Sequence, residues 1–307
     1  MIGNHFDFAW EVSLIEWCQA NIPSLLINLL DIVSNVGDVV AIVALIGFFY
    51  LCYDKKLGRR ILINSMFSFM ICGYIKNIFN RRRPYFDNEN IKCLKIVDPS
   101  HDLYDIKNQG FSFPSMHSSN AATVFGTIYE YYKQKRLLVL AIVVSTIVGI
   151  SRFVLGCHYP TDVIVGLLVG TLSAAFFGKV QDKLKDEYLY LLLILMIVVG
   201  FFFCDSSDYY SSCGITIGFI CAEIFDKKRI NFVNTKNVIK TILRLLLAVG
   251  VFLLVSEGLK LVAPISISEG DNFMAYLFRT IRYALGTFTG LGLTPMLYKY
   301  NLLKIKD

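Results

Sequence analysis

The sequence predicts an all-α protein, a polytopic transmembrane helix bundle of about nine spans, and three observations predict it. Hydrophobic residues make up 55% of the chain and charged residues 18%, where a soluble domain carries roughly 25% charge. Mean hydropathy is +0.55. Apolar runs of about 20 residues, each long enough to cross ~30 Å of hydrocarbon, recur between short charged stretches. Backbone groups in lipid must be satisfied within their own segment, so such runs read as helices. The composition excludes disorder and fits an ordinary soluble enzyme poorly.

The elements follow in order. Phe6, Phe8, Trp10, Leu14, Ile15 and Trp17 suit an interfacial helix whose aromatic rings sit at headgroup level. Asp7, Glu11 and Glu16 stand where a cleavable signal peptide has a basic stretch, so none is expected. On the length rule, spans fall at roughly 36–53, 60–79, 115–132, 137–156, 161–179, 188–204, 210–225, 240–263 and 275–298. No linker of Gly, Ser or Pro interrupts them. The chain reads as one membrane unit, with a core over 1–185 and a C-terminal extension over 186–307.

The net charge of +6 is not gathered into one patch, which argues against a nucleic-acid partner. Basic residues follow alternate spans instead. Lys55, Lys56, Arg59 and Arg60 follow the first, Lys133, Lys135 and Arg136 the third, and Lys179, Lys183 and Lys185 the fifth. Lys227, Lys228, Arg229 and Lys236 follow the seventh, and Lys299, Lys304 and Lys306 the ninth. The positive-inside rule makes these loops cytoplasmic, with the N-terminus outside and the C-terminus inside. The Arg-rich loop after the second span breaks the rule on the outer side, and an exception of that kind marks a place to look for function. Eight cysteines form no CxxC pair and no Cys/His cluster with metal spacing. A disulfide between Cys204 and Cys213, across an outer loop, stays open.

Three short segments concentrate the chemistry. In Lys76-Asn-Ile-Phe-Asn-Arg-Arg-Arg-Pro84, Lys76 and Arg83 are close to two helical turns apart and can share a face. An Arg run beside a span is also a common headgroup anchor. Phe113-Pro114-Ser115-Met116-His117 opens the third span, and a helix N-terminus presents free N–H groups to an anion. In Ser151-Arg152-Phe-Val-Leu-Gly-Cys-His158-Tyr-Pro-Thr-Asp162, a carboxylate four residues from a histidine can fix its tautomer and leave the other nitrogen free to attack. A His–Asp pair that merely stabilises a helix start is an equal reading of that segment alone. The predicted topology brings all three segments to one membrane face. Together they supply Lys76, Arg83 and Arg152 as cations, His158 as nucleophile, Asp162 as its orienter and His117 as acid and base, a kit for phosphoryl transfer.

The pattern Lys-x6-Arg-Pro, Pro-Ser-x-His, Ser-Arg-x5-His-x3-Asp resembles the type-2 phosphatidic acid phosphatase superfamily, over roughly residues 20 to 180. That family includes membrane lipid phosphatases related to sphingosine-1-phosphate phosphatase and glucose-6-phosphatase. The resemblance implies a six-helix phosphatase-like core, catalytic His158, His117 and Asp162, and phosphate held by Lys76, Arg83, Arg152 and Ser115. It further implies a phosphohistidine intermediate and a reaction that needs no metal and no cofactor. One departure is Met116, where the family usually has Gly, whose lack of a side chain permits close backbone approach to an anion. The expected function is hydrolysis of a lipid phosphate or pyrophosphate at the outer membrane face. The alternatives are a lipid-linked phosphotransferase with the same chemistry, and a lipid-phosphate binder or transporter that cleaves nothing.

The loop over 80–113 is long enough to be functional, and its stretch from Tyr85 to Gln109 is expected to act as a headgroup-selecting lid, with His101 a surface residue rather than a catalytic one. In the extension, Glu257, Lys260, Arg279 and Arg282 sit near the predicted outer membrane boundary. Intramembrane charges usually face a partner or a cavity. The expectation is an ion pair between Glu257 and one arginine, with lipid-phosphate docking by Arg279 and Arg282 as the functional alternative.

Overall fold

The computed structural model describes residues 3–95, 102–268, 270 and 272–300. His101 and the rest of 96–101 lie outside the described residues. In chain order the helices are α1 (Ala9–Asn21), α2 (Ser24–Ser34), α3 (Val39–Phe48), α4 (Lys55–Phe79), α5 (Pro84–Asp87), α6 (Ile106–Gln109), α7 (Met116–Tyr132), α8 (Lys135–Val154), α9 (Pro160–Leu172), α10 (Gly178–Lys183), α11 (Asp186–Gly200), α12 (Ser207–Phe225), α13 (Val238–Val262), α14 (Ile265–Ser268), α15 (Phe273–Thr287) and α16 (Thr294–Lys299). The described residues contain no strand, only an isolated parallel bridge between Asn4 and Arg81. Single wide turns at Phe49–Tyr53, Ser173–Phe177, Asp226–Ile230 and Phe288–Leu293 carry several helices past their formal ends.

Four helices are long and apolar enough to cross a membrane: Lys55–Phe79, Lys135–Val154, Pro160–Lys183 and Val238–Val262. A fifth is reached if the bent pair Ser24–Gly37 and Ala41–Tyr53 is one span. The protein is an integral membrane protein, and α13 shows why: its mean hydropathy is 2.4 while only 11% of its apolar window is buried. Leu246, Leu254, Leu261 and Val262 on it are mostly exposed, a surface that only lipid satisfies. Helix α2, which the span reading missed because its apolar run is short, likewise exposes Leu25, Leu26, Leu29 and Ile32.

The chain forms two compact units that do not follow chain order. The first comprises Met1–Ile42, Phe67–Lys183 and Phe202–Ser206; the second comprises Val43–Met66, Leu184–Phe201 and Ser207–Asp307. In the first, α7 packs on α8 and α9, and α2 packs on α8. The α7–α9 contact is backbone-close: a Cβ on Gly166 would stand 2.4 Å from the Ser115 carbonyl oxygen, and one on Gly170 would stand 2.3 Å from that of Ser119. Small residues at i and i+4 let two membrane helices touch in this way.

In the second unit α12 packs on α15, and α13 packs on α15. Several of its charged side chains are paired with one another: Arg59 bonds Glu223 and Asp186, Lys227 bonds Asp186, and Lys55 bonds Asp226. No disulfide joins any of the eight cysteines, so Cys204 and Cys213 are not bridged.

Candidate active site

The turn from α8 to α9 carries His158. Gly156 adopts φ +74°, and a Cβ there would sit 2.3 Å from the Lys92 carbonyl oxygen, so both conformation and space require glycine. The Arg152 carbonyl oxygen accepts from the backbone N–H of Cys157 (3.1 Å) and of His158 (3.2 Å), which folds the turn back on α8. Pro160 then opens α9. The Asp162 carboxylate accepts from the Tyr159 N–H at 2.7 Å and closes the helix start.

His158 is 2% exposed. Its Nδ1 lies 2.8 Å from the Ser112 carbonyl oxygen, whereas the nearer Asp162 oxygen is 3.5 Å away. A carbonyl can only accept, so Nδ1 carries the proton and Nε2 keeps its lone pair. Asp162 was expected to bind the imidazole directly. Its oxygens are instead taken by the Tyr159 N–H, the Ser112 hydroxyl and Arg81, and its link to the ring runs through Ser112.

Beneath the turn lies a buried ion network built on Arg81. Its Nη1 donates to Asp162 Oδ1 (2.7 Å) and Thr161 Oγ1 (2.8 Å), its Nη2 to Glu11 Oε2 (2.7 Å), and its Nε to the Phe6 carbonyl oxygen (2.8 Å). The guanidinium also lies 3.9 Å over the Tyr159 ring. Glu11 Oε1 accepts from the N–H (2.9 Å) and hydroxyl (2.6 Å) of Thr161. Arg81 is 1% exposed, and Glu11 and Asp162 are fully buried. Sequence reading missed Arg81, Glu11 and Ser112. A signal existed for Glu11: it shares with Ile15 and Cys18 the buried face of α1, spaced four and seven apart as an inward stripe is.

Two of the three expected cations are committed to carbonyl oxygens. Arg83 donates to those of Gln109, of Gly110 at 3.1 Å and of Cys157 at 3.3 Å, and Lys76 donates to that of Phe111. They hold the 109–112 stretch against the histidine. Arg152 differs. It is 2% exposed, and its Nε and Nη1 have no hydrogen-bond partner. A buried guanidinium with idle donors is a costly arrangement that an anion relieves. Burial, then Arg83, Arg152 and Lys76, push His158 well below the usual histidine range, so its ring is neutral at pH 7. Lys95 is half-buried, and its burial, followed by Arg152, holds it below the usual lysine range.

His117 is the second residue of α7. Its Nε2 has no hydrogen-bond partner and lies 3.6 Å from Asp38 Oδ2. Ser115 caps the helix: its Oγ accepts from the Ser118 N–H (3.4 Å) and hydroxyl (2.9 Å). The Ser115 N–H donates to the Asp162 carbonyl oxygen at 2.9 Å, joining the heads of α7 and α9. Met116 opens α7 and is half-buried. Arg282 belongs to the second unit, where its Nη1 donates to the Ser256 carbonyl oxygen (3.2 Å) and faces Glu257 at 3.5 Å; Arg279 there is half-buried. Among the described residues no group of three His, Cys, Asp or Glu side chains could hold a metal ion. The site unites an imidazole nitrogen with a free lone pair, a buried cation with idle donors, and a second histidine beside a carboxylate.

Residues 58–186 match the family model described as the PAP2 superfamily, and residues 210–304 match that of the PAP2 superfamily phosphatase, transmembrane extension. Phosphatidylglycerophosphatase B of Bacillus subtilis is 36% identical over 89 residues, 26% of this chain and 44% of that protein. Undecaprenyl-diphosphatase of Sulfolobus acidocaldarius is 25% identical over 178 residues, 56% of this chain and 78% of that protein. The solved structure of a transmembrane PAP2 type phosphatidylglycerolphosphate phosphatase from Bacillus subtilis superposes with a TM-score of 0.45 at 24% identity, covering 58% of this chain and 87% of that one. The chain spans half or less of the length of the first curated relatives it matches.

Proposed function

We propose that this chain, a member of the PAP2 superfamily by both matched segments, hydrolyses the phosphate or pyrophosphate end of a membrane lipid through a phosphohistidine on His158. The observation that carries the reading is the pairing of a neutral His158, its Nδ1 committed to the Ser112 carbonyl, with the idle buried donors of Arg152. His158 Nε2 attacks phosphorus as the bond to the departing oxygen breaks, and His117 gives that oxygen a proton. Water then loses a proton to His117, attacks phosphorus and breaks the P–N bond. Asp38 steadies the charge on His117, and Asp162 holds Ser112 and through it the His158 ring. Arg152, with the Lys76 and Arg83 ammonium and guanidinium groups and the head of α7 at Ser115, faces the charge that builds on the phosphoryl oxygens.

A lipid substrate fits relatives named for phosphatidylglycerophosphate and for undecaprenyl diphosphate, and it fits a protein embedded in the membrane. The described stretches of the 80–113 loop contact the headgroup in this reading. The arrangement has nine crossings, with a phosphatase core of six helices within 1–185, an extension over 186–307, and the site on the outer face. The alternation of basic and base-free loops supports that topology.

The test is phosphate release by the detergent-purified protein from a panel of lipid mono- and pyrophosphates in EDTA, beside His158→Ala. Release that survives EDTA and vanishes in the variant is the expected result; equal release by the variant overturns it. Labelled phosphate that stays on His158 until a lipid or sugar acceptor is added would mark a transferase instead.

A further inference from the structure

Helix α1 lies outside both segments that match the family, yet its buried face reaches the catalytic turn. Glu11 on that face is fully buried, and both of its carboxylate oxygens are engaged. Oε1 accepts from the N–H (2.9 Å) and hydroxyl (2.6 Å) of Thr161, and Oε2 accepts from Arg81 Nη2 (2.7 Å) and the Phe8 N–H (3.1 Å). Thr161 stands in the first turn of α9, where N–H groups have no partner within the helix. Glu11 therefore caps α9 from a separate helix. Arg81 in turn holds Ser112 from two sides. Its carbonyl oxygen accepts from the Ser112 N–H at 2.7 Å, and its Nη1 holds Asp162, whose other oxygen accepts from the Ser112 hydroxyl. Ser112 then offers its own carbonyl to His158 Nδ1. A continuous set of hydrogen bonds runs from α1 to the imidazole.

We propose that Glu11 and Thr161 are positioning residues for His158: the carboxylate of α1 sets the Arg81 guanidinium and the head of α9, and through them the Ser112 carbonyl that aims the imidazole. The inference rests on the reading of His158 as nucleophile. A carboxylate only accepts, so each donor on it is fixed in one sense, and a guanidinium gripped by carboxylates on two nitrogens cannot turn. The Thr161 hydroxyl closes the arrangement, because it donates to Glu11 Oε1 and accepts from Arg81 Nη1 at 2.8 Å. Glu11→Gln keeps the shape of the side chain but sets an NH2 group against donors, on either the Thr161 or the Arg81 side. Helix α1 keeps its seat in that variant. Ile15 still packs with Tyr85, Ile91 and Tyr159, and Gln19 Nε2 still donates to the carbonyl oxygens of Lys92 (2.8 Å) and Val154 (3.2 Å). A displacement of about 1 Å at a reacting group costs on the order of 100-fold in rate. The bonds named here leave Arg152 untouched, so the loss falls on kcat and not on KM.

The experiment measures kcat and KM for phosphate release by the full-length protein, on the lipid of the panel above that wild type cleaves fastest, for Glu11→Gln, Thr161→Val, Thr161→Ser and His158→Ala. Valine keeps the shape of threonine without its hydroxyl, and serine keeps the hydroxyl without the methyl. A packing role survives in Thr161→Val and weakens in Thr161→Ser, whereas a positioning role shows the reverse. The expected result is a kcat lowered at least about 10-fold in Glu11→Gln and Thr161→Val with KM changed less than about 2-fold, and a Thr161→Ser kcat within about 3-fold of wild type. Should Glu11→Gln fail to fold, the Thr161 pair decides alone. A wild-type kcat in Thr161→Val, or a Thr161→Ser kcat below it, overturns the positioning role while loss of release in His158→Ala upholds the nucleophile. Release that survives in His158→Ala, or no release from any lipid of the panel, overturns the catalytic reading and the positioning role with it.

Discussion

Arg81 and Arg152 are both buried, and their surroundings assign them opposite work. Arg81 is matched by Glu11 and Asp162 at 2.7 Å each. Arg81→Ala strands two buried carboxylates and should destabilise the protein by about 3–5 kcal/mol, seen as a lowered thermal midpoint in detergent. Arg152, with idle donors, contributes no such pairing. Arg152→Gln should leave the midpoint unchanged or raised while kcat falls about 100- to 1000-fold; a midpoint drop equal to that of Arg81→Ala would contradict this division. The lowering of His158, chiefly by burial and then by Arg83 and Arg152, sets a pH signature. The folded chain refuses a proton that the unfolded chain accepts below about pH 6.5, so this group subtracts stability as pH falls from there and has no effect above it. For the same reason the acid limb of kcat/KM that reports His158 should lie below pH 6.5, and Arg152→Gln should move it upward. An unmoved limb would show that Arg152 does not face the histidine.

At the scale of elements, the site is the meeting of two helix heads. Ser115 at the head of α7 bonds the Asp162 carbonyl at the head of α9, and the helices stay in register because Gly166 and Gly170 admit the α7 backbone. Gly166→Ala places a Cβ against the Ser115 carbonyl and should cost about 1–3 kcal/mol. It should also lower kcat with little change in KM, since it parts His117 from His158 without touching a cation; a purely structural effect would leave the kcat of the folded fraction unchanged. Helix α1 was legible as a helix, and Phe8, Trp10 and Trp17 are exposed on it. The Glu11, Ile15 and Cys18 spacing was on the page, but the burial of its acid was not, because an acid on a half-polar helix reads as solvated until its cation, 70 residues away, is seen beside it.

For the whole molecule, α2 in one unit and α13 in the other each expose an apolar surface that lipid satisfies, and the positive-inside rule applied to the alternating basic loops predicts an outer Arg-rich loop. Impermeant maleimide added to intact cells should label Glu89→Cys, at an exposed position of the Arg-rich loop, in an otherwise cysteine-free protein. Lys228→Cys, also exposed, should label only after permeabilisation. The reverse pattern would put the site on the cytoplasmic face. The two units cut across the sequence boundary at 185, since Val43–Met66 joins Leu184–Phe201 and Ser207–Asp307 while Phe202–Ser206 belongs with the first unit. No composition shift marks that regrouping, because a membrane helix reads alike wherever it packs.

By itself the sequence determined that the chain is helical and membrane-bound, and it named the groups able to do phosphoryl chemistry. Hydropathy, basic loops and the Lys-x6-Arg-Pro, Pro-Ser-x-His and Arg-x5-His-x3-Asp spacings are local patterns, written in neighbouring residues. Tertiary structure alone decided how those groups are used. It aimed the His158 Nδ1–H at the Ser112 carbonyl, turned Asp162 to Arg81 and left Arg152 Nε and Nη1 without partners. Each of those outcomes depends on a partner far along the chain, and a hydrogen bond or ion pair forms only between groups that packing has already brought within about 3 Å.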